Sequence, residues 1–469
     1  MNRDPNKIRN LNAFMNEGPT VIGMMASVIE GGGSLDTAAR DVAANGPARS
    51  SSMFREMVTK ADTRQIPDIG YGMSELLSAL PADAAPFRRS MQMVISASGS
   101  QDRSERDRML KDASDISLNG LRETGESYST SLNIPCMMIF GLGIMVPMIL
   151  MSILPMLSIG GMFGSSTISM VPIVLITLVI IPCVIISLII SVKEKNPFIS
   201  SGPLRSDPTA LIPLLSMVPI AIVLMMITYD ASTSIMMAAI ISGIISIIVI
   251  MPSVRSGWLR EKQESLLQDS VFELGNRLIG GENFEKAIVE AVSVRKECTS
   301  IAEGISRELD LCRGDVCAAI RSSIERISES VSGVFCDIYR CSLKDIRDSG
   351  RLAISIGRQL QDQNSVRKNI KNKLKSMTDM MTGTAAVFAP LVLGMSVTML
   401  GPISKVAEGV DTEGTSTILI VYLIELCILM AVLTSCLAGK YDAKEMVFKA
   451  GMMLPASIVI FILCSSIGL

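Results

Sequence analysis

Val28-Ile29-Glu30-Gly31-Gly32-Gly33-Ser34-Leu35-Asp36-Thr37-Ala38 lies near the start of the chain, and Leu278-Ile279-Gly280-Gly281-Glu282-Asn283-Phe284-Glu285-Lys286-Ala287 lies in its middle. Both stretches read the same way. An apolar run stops at glycines, a small polar residue follows, and an acid sits just inside the next run. Glycine accepts the left-handed conformation that ends a helix, so each glycine group is a stop. Ser34 and Asn283 suit the N-cap of the next helix, with Asp36 and Glu285 near its positive end. Leu267, Val271, Leu274 and Leu278 lead into the second turn with the 3–4 spacing of one helix face. The predicted unit is a helix–turn–helix that occurs twice. A second echo, Ile95-Ser96-Ala97-Ser98-Gly99-Ser100 against Ile346-Arg347-Asp348-Ser349-Gly350-Arg351, predicts two further turns. Val316, Ile320, Ile324, Ile327 and Val331 predict one more helix face.

Outward from these blocks the chain becomes apolar. Its 469 residues are 49% hydrophobic, 4% aromatic and 19% charged. The mean hydropathy of +0.44 is high for a soluble protein. The apolar residues gather in runs of roughly 20, enough to cross about 30 Å of hydrocarbon as helix. About seven spans are expected, near Asn133–Leu157, Ser169–Val192, Ala210–Ile227, Ser232–Met251, Gly383–Gly401, Ser416–Leu437 and Phe448–Gly468. The third is the weakest, being short and interrupted by Pro213 and Pro219.

Lys193, Lys195 and Arg205 fall in one set of loops, with Arg255, Arg260, Lys262, Lys440 and Lys444. The alternate loops are uncharged or acidic, with Asp230, Glu408, Asp411 and Glu413 against one Lys405. By the positive-inside rule the N-terminus is inside and the C-terminus outside. Trp258 falls just beyond the fourth span, where an interfacial anchor would sit. The polar start, Met1 to Lys7, leads into no compact apolar region, so no cleavable signal peptide is expected.

The composition removes much chemistry. A net charge of −2 gives no electrostatic reason to expect nucleic acid. The chain has no histidine, the commonest general base and a favoured zinc ligand. Its ten cysteines lack metal-site spacing and read as scattered reduced thiols. No glycine-rich loop ends in Gly-Lys-Ser or Gly-Lys-Thr, so no phosphate cradle is expected. No cofactor, metal or catalytic constellation is predicted, and a scaffold is favoured over an enzyme.

Three features carry partner chemistry. Arg367-Lys368-Asn369-Ile370-Lys371-Asn372-Lys373-Leu374-Lys375 leads toward the fifth span, with Val366, Ile370, Leu374 and Met377 aligned on one helix face. It reads either as a juxtamembrane helix held near anionic headgroups or as a docking surface for an acidic partner, and the two are compatible. Glu425 sits mid-span, where an acid is costly; interhelical packing or an oligomer contact is the first reading, a proton or ion path the second. The run Asp102 to Arg108 reads as a solvated helix face with spaced charge pairs.

With its glycine turn, its capped helix starting Ser34-Leu35-Asp36-Thr37-Ala38 and its later Ser98-Gly99, the block resembles the type II secretion system F domain. Two such blocks, each followed by membrane helices, resemble the integral-membrane platform protein of type IV pilus machines. The span number is more like the archaeal versions, including the archaellum assembly protein, and there is a distant similarity to tight-adherence C proteins. The resemblance implies an all-α polytopic membrane protein with two homologous cytoplasmic helical-bundle domains. Residues 1–132 and 252–382 would be these domains, 133–251 four transmembrane helices and 383–469 three more.

It further implies a non-enzymatic platform in the cytoplasmic membrane. A hexameric secretion ATPase would engage its cytoplasmic domains, and pilin or archaellin-type subunits would be lifted from the lipid bilayer. Near-neutral blocks favour an adhesive-pilus or general-secretion variant over an archaellum. Partner contact would fall at Gly32-Gly33-Ser34, Gly281-Glu282-Asn283, Gly99 and Gly350-Arg351, with Lys371 and Lys373 on the basic helix. The competing reading of the four turns is that they only join helices. A homodimer is compatible with this architecture. A transporter is the alternative, although repeated transporters duplicate the membrane part. A membrane-bound sensor would need an output module.

Overall fold

The computed structural model describes residues 5–80, 84–147, 149–150, 174–196, 211–228, 230–312, 314–404, 412–438 and 442–466. Among them every regular element is a helix. The first block contains α1 (Pro5–Glu30), α2 (Leu35–Asn45), α3 (Ala48–Asp62), α4 (Ile69–Ala79), α5 (Ala85–Gly99) and α6 (Arg103–Ser131). Apolar helices follow: α7 (Asn133–Phe140), α8 (Ile181–Lys195), α9 (Ile212–Leu215), α10 (Met217–Thr228) and the long α11 (Ala231–Ile279). The second block continues with α12 (Phe284–Ser293), α13 (Thr299–Leu311), α14 (Val316–Ile324), α15 (Glu329–Ser342) and α16 (Ile346–Gly383). The chain then runs through α17 (Ala389–Ser404), α18 (Thr412–Leu437) and α19 (Ala443–Ser466).

Contacts divide the chain into two compact units, Met1–Glu126 with Gly257–Ile370, and Ser127–Ser256 with Lys371–Leu469. The first unit gathers both polar blocks, and each keeps its own hydrophobic core. In one, Val21, Ile22, Met25 and Ile29 of α1 pack on Val42, Phe54, Met91 and Leu110. In the other, Leu267, Val271, Leu274 and Leu278 of α11 pack on Ile288, Ile320, Phe335 and Ile356.

The blocks repeat helix for helix. The predicted turns at Gly31–Gly33 and Gly280–Gly281 are both Schellman closures. Gly33 N–H donates to Val28 O and Gly32 N–H to Ile29 O; likewise Glu282 donates to Arg277 O and Gly281 to Leu278 O. Gly32 and Gly281 have nearly equal positive φ, +83° and +85°. Asp68 and Asp315 cap α4 and α14, accepting from Tyr71 N–H and Ala318 N–H, a parallel missed in the sequence. A left-handed residue precedes each cap, Arg64 at φ 56° and Gly314 at φ 102°.

Other expectations need correction. Ser98-Gly99 ends α5, whereas Ser349-Gly350-Arg351 lies inside α16, so the second echo joins non-equivalent places and the latter is no turn. Gly350 is there because α16 crosses α11 closely: a Cβ on it would lie 2.8 Å from Ile279 N and 3.0 Å from Gly275 O. The face predicted over Val316–Val331 belongs to two helices, α14 and α15, whose intervening turn preserves its spacing.

Among the described residues of the second unit, three π turns interrupt the apolar helices at Gly141–Met145, Ile176–Ile180 and Thr384–Phe388. The first and third begin the same number of residues after the starts of α6 and α16, which extends the repeat. A π turn widens the ring of backbone bonds and leaves carbonyls for other donors. Tyr422 Oη donates to Gly143 O. Ser457 Oγ, whose nearer acceptor is Met453 O at 2.7 Å, lies 3.2 Å from Ala385 O. Gly243 and Gly451 let α11 and α19 meet backbone to backbone. Ser246 Oγ beside them donates to Val447 O at 3.0 Å.

Among the described residues, six helices are long and apolar enough to cross a membrane, where sequence predicts about seven. The difference is Ile212–Thr228, which is shorter and is broken at Ser216 between α9 and α10. The expected span ends at Leu157, Ser169, Ala210 and Gly468 lie outside the described residues, as do Arg205, Lys405, Glu408, Asp411 and Lys440.

Candidate functional site

The ends of α1 and α11, which lead into the predicted turns, pack against the first turns of α16. Leu352 of α16 approaches Gly31 at the end of α1, while Gly350 abuts Ile279 at the end of α11. Asp348 faces Arg103 at the start of α6, with 3.9 Å between charged atoms. Gly99 lies just before that start, at the exposed end of α5. The glycine turns of both blocks therefore flank one helix start, which sequence periodicity does not convey.

The individual residues take different roles. Gly32 and Gly281 are exposed and have no neighbour that a Cβ would meet, so conformation alone selects glycine. Ser34 caps α2, its Oγ accepting from Thr37 N–H at 3.2 Å. Asn283 takes the N-cap position of α12, but its side chain makes no cap bond, contrary to expectation. Glu282 pairs with Arg277, which also holds Glu273 and Glu290. Arg351 pairs with Asp348 at 3.3 Å. Lys371 and Lys373 are exposed on α16 and, with Glu425, belong to the second unit. Glu425 is half-buried on α18, one turn after the enclosed Tyr422, and no hydrogen bond or ion pair reaches it among the described residues.

The charged run at the start of α6 is exposed at Asp102, Arg103, Ser104, Glu105 and Arg108, as expected of a solvated face, and turns inward at two residues. Arg106 and Asp107 are half-buried and adjoin Glu30 of α1. Burial raises the Glu30 carboxyl above its ordinary value, opposed by a hydrogen bond from Ser355 of α16. Further polar ties join the blocks. Gln359 Nε2 donates to Ser114 Oγ at 3.1 Å and Gln363 Nε2 to Pro19 O at 3.0 Å.

Beside this contact a cleft of about 430 Å³ opens between α2 and α15. Gly31, Gly33 and Thr37 line one end. Its charged lining is Arg40 and Asp41 from α2, Arg321 from α14, Asp337 and Arg340 from α15, and Lys344 beyond it. Arg40 is held at the rim by Asp36 and Asp62, at 2.9 and 2.6 Å. Asp41 Oδ1 accepts from Asn45 Nδ2 at 2.8 Å, while its Oδ2 is enclosed without a hydrogen-bond partner. Burial pushes Asp337 up to about 7, with Asp41 raising it further and Arg340 and Arg321 opposing. None of these acids carries a sequence signal, because each sits among ordinary helix-surface polar residues.

Among the described residues the fold is all-helical, with six helices long and apolar enough for a multi-pass membrane protein, and one order of polar helices occurs twice. No family model, curated protein or solved structure matches the chain.

Proposed function

We propose that the chain is the integral-membrane platform of a type IV pilus-like or type II secretion-like machine. It couples a cytoplasmic secretion ATPase to the assembly or export of pilin-type subunits, and is a scaffold rather than an enzyme. The polar blocks are two homologous cytoplasmic domains of a cell-membrane protein with its N-terminus inside and its C-terminus outside, a topology in which the shorter Ile212–Thr228 crosses together with the six long apolar helices. The observation that carries this reading is the repetition. Both blocks contain a Schellman turn at Gly32 or Gly281, an Asp-capped fourth helix, and a last helix that runs into apolar sequence. Repetition of the polar part suits a body that engages another protein. The exposure of Gly32 and Gly281 beside the start of α16 is consistent with engagement there.

A mild-detergent pull-down of the tagged protein from native membranes, read by mass spectrometry, tests the proposal. A hexameric secretion ATPase recovered together with pilin-like subunits is the expected result. Their reproducible absence with intact, abundant bait overturns it. Solute flux through liposomes containing the purified protein would then favour the transporter.

A further inference from the structure

The faces of α2 and α15 that meet are short and polar. Asn45 of α2 lies against Gly333 of α15, with 3.5 Å between Asn45 Cβ and the Cβ position of Gly333. Asp41 and Asp337 occur four residues along their own helices from this contact, where each helix face returns. The approach therefore directs one carboxyl from each block toward the same cleft. Around them, α2 supplies Asn45 and, at the rim, Arg40; α14 supplies Arg321; α15 supplies Arg340; Lys344 and Cys341 close the other side. Arg40 is occupied by Asp36 and Asp62. Arg340 Nη1 stands 3.5 Å from Asp337 Oδ1, a distant contact at a half-buried acid. No hydrogen-bond donor reaches Asp41 Oδ2.

We propose that Asp41 and Asp337 form a proton-binding pair that latches the two polar blocks together across the α2–α15 cleft. Held on one carboxyl, the proton removes one of two like charges from the cleft. When it leaves to water, two anions face each other with incomplete compensation from Arg340 and Arg321, and this contact loosens.

The sign follows from linkage. A carboxyl whose value is raised in the closed form binds more protons closed than open, so closure weakens as pH rises. The change runs from the ordinary aspartate value of 3.8 up to about 7, below which the latch is made and above which its contribution is lost. This inference does not depend on the platform reading.

Hydrogen exchange of the full-length protein in nanodiscs, corrected for the intrinsic pH dependence of exchange, provides the test. In the wild type, opening of α2 and α15 should increase about tenfold or more between pH 5 and pH 8, as expected when at least one pKa unit of difference is released. D337N and D41N should each remove most of that rise. A flat wild-type profile overturns the proposal without need of a variant. So does an unchanged rise in either folded variant. The core amides of α11 and α12 serve as an internal reference that should not move with them.

Discussion

Gly32 and Gly281 occupy the left-handed region in open space, so they separate backbone conformation from packing. A side chain in that region costs roughly 1–2 kcal/mol. Gly32→Ala and Gly281→Ala should each destabilise the protein by about 1 kcal/mol, read as loss of thermal stability in detergent. Gly257, inside α11 and equally open but without positive φ, is the control. Its change to Ala should stabilise by about 0.5–1 kcal/mol because the helix interior prefers Ala. Equal losses at all three sites would show that conformation is not what selects glycine here. The caps provide a second contrast. Ser34→Ala removes a formed cap bond and should cost about 1 kcal/mol, while Asn283→Ala should be nearly silent. These turns are legible in sequence because their chemistry is local. The Asn283 cap is misread because residue type names a position on the helix, while the side-chain direction depends on what surrounds it.

At the scale of the element, the least legible feature is close approach. Gly350 looks like a turn residue beside Ser349 and Arg351, yet it lies in α16 where that helix crosses α11. Its added Cβ would meet backbone atoms, which cannot swing aside as a flexible side chain does. Overpacking of this kind costs about 1–3 kcal/mol, against about 1 gained from helix propensity. Gly350→Ala should therefore be destabilising in the same melt, with the loss arising in α11 and α16 by hydrogen exchange; a stabilised variant would mean that the crossing is loose. The π turns are likewise invisible in periodicity, because the hydrophobic run continues through them. Tyr422→Phe should leave Gly143 O without its donor and cost about 0.5–2 kcal/mol, the range for interhelical bonds in membranes. An unchanged unfolding curve in mixed micelles would remove Tyr422 as the tie. By contrast, the α11 face from Leu267 to Leu278 is readable because all four residues serve one core.

Across the whole molecule, hydrophobic pattern marks each block but not the association of the two. That association uses Gln359, Gln363, Ser114 and the Arg103–Asp348 pair, and scattered polar residues leave no periodic trace. The same contact reshapes the test of where the proposed ATPase partner would dock. Arg106 sits half-buried beside Glu30 and Asp107, so reversing it would disturb the block contact as well as the surface. Arg108 is exposed and is the cleaner comparison for the exposed Lys371 and Lys373. If the basic helix forms the main docking surface, K371E with K373E should reduce ATPase capture in the native-membrane pull-down by about tenfold, equivalent to 1.4 kcal/mol. R108E should leave it nearly unchanged. Exposed charges are screened over about 8 Å at physiological ionic strength, so raising salt should weaken wild-type capture toward the level of the double variant. R108E changes the net charge half as much as the double variant, so a loss half as large in free energy would assign the effect to overall charge. A larger loss for R108E would move docking to the start of α6, next to the glycine turns that flank α16.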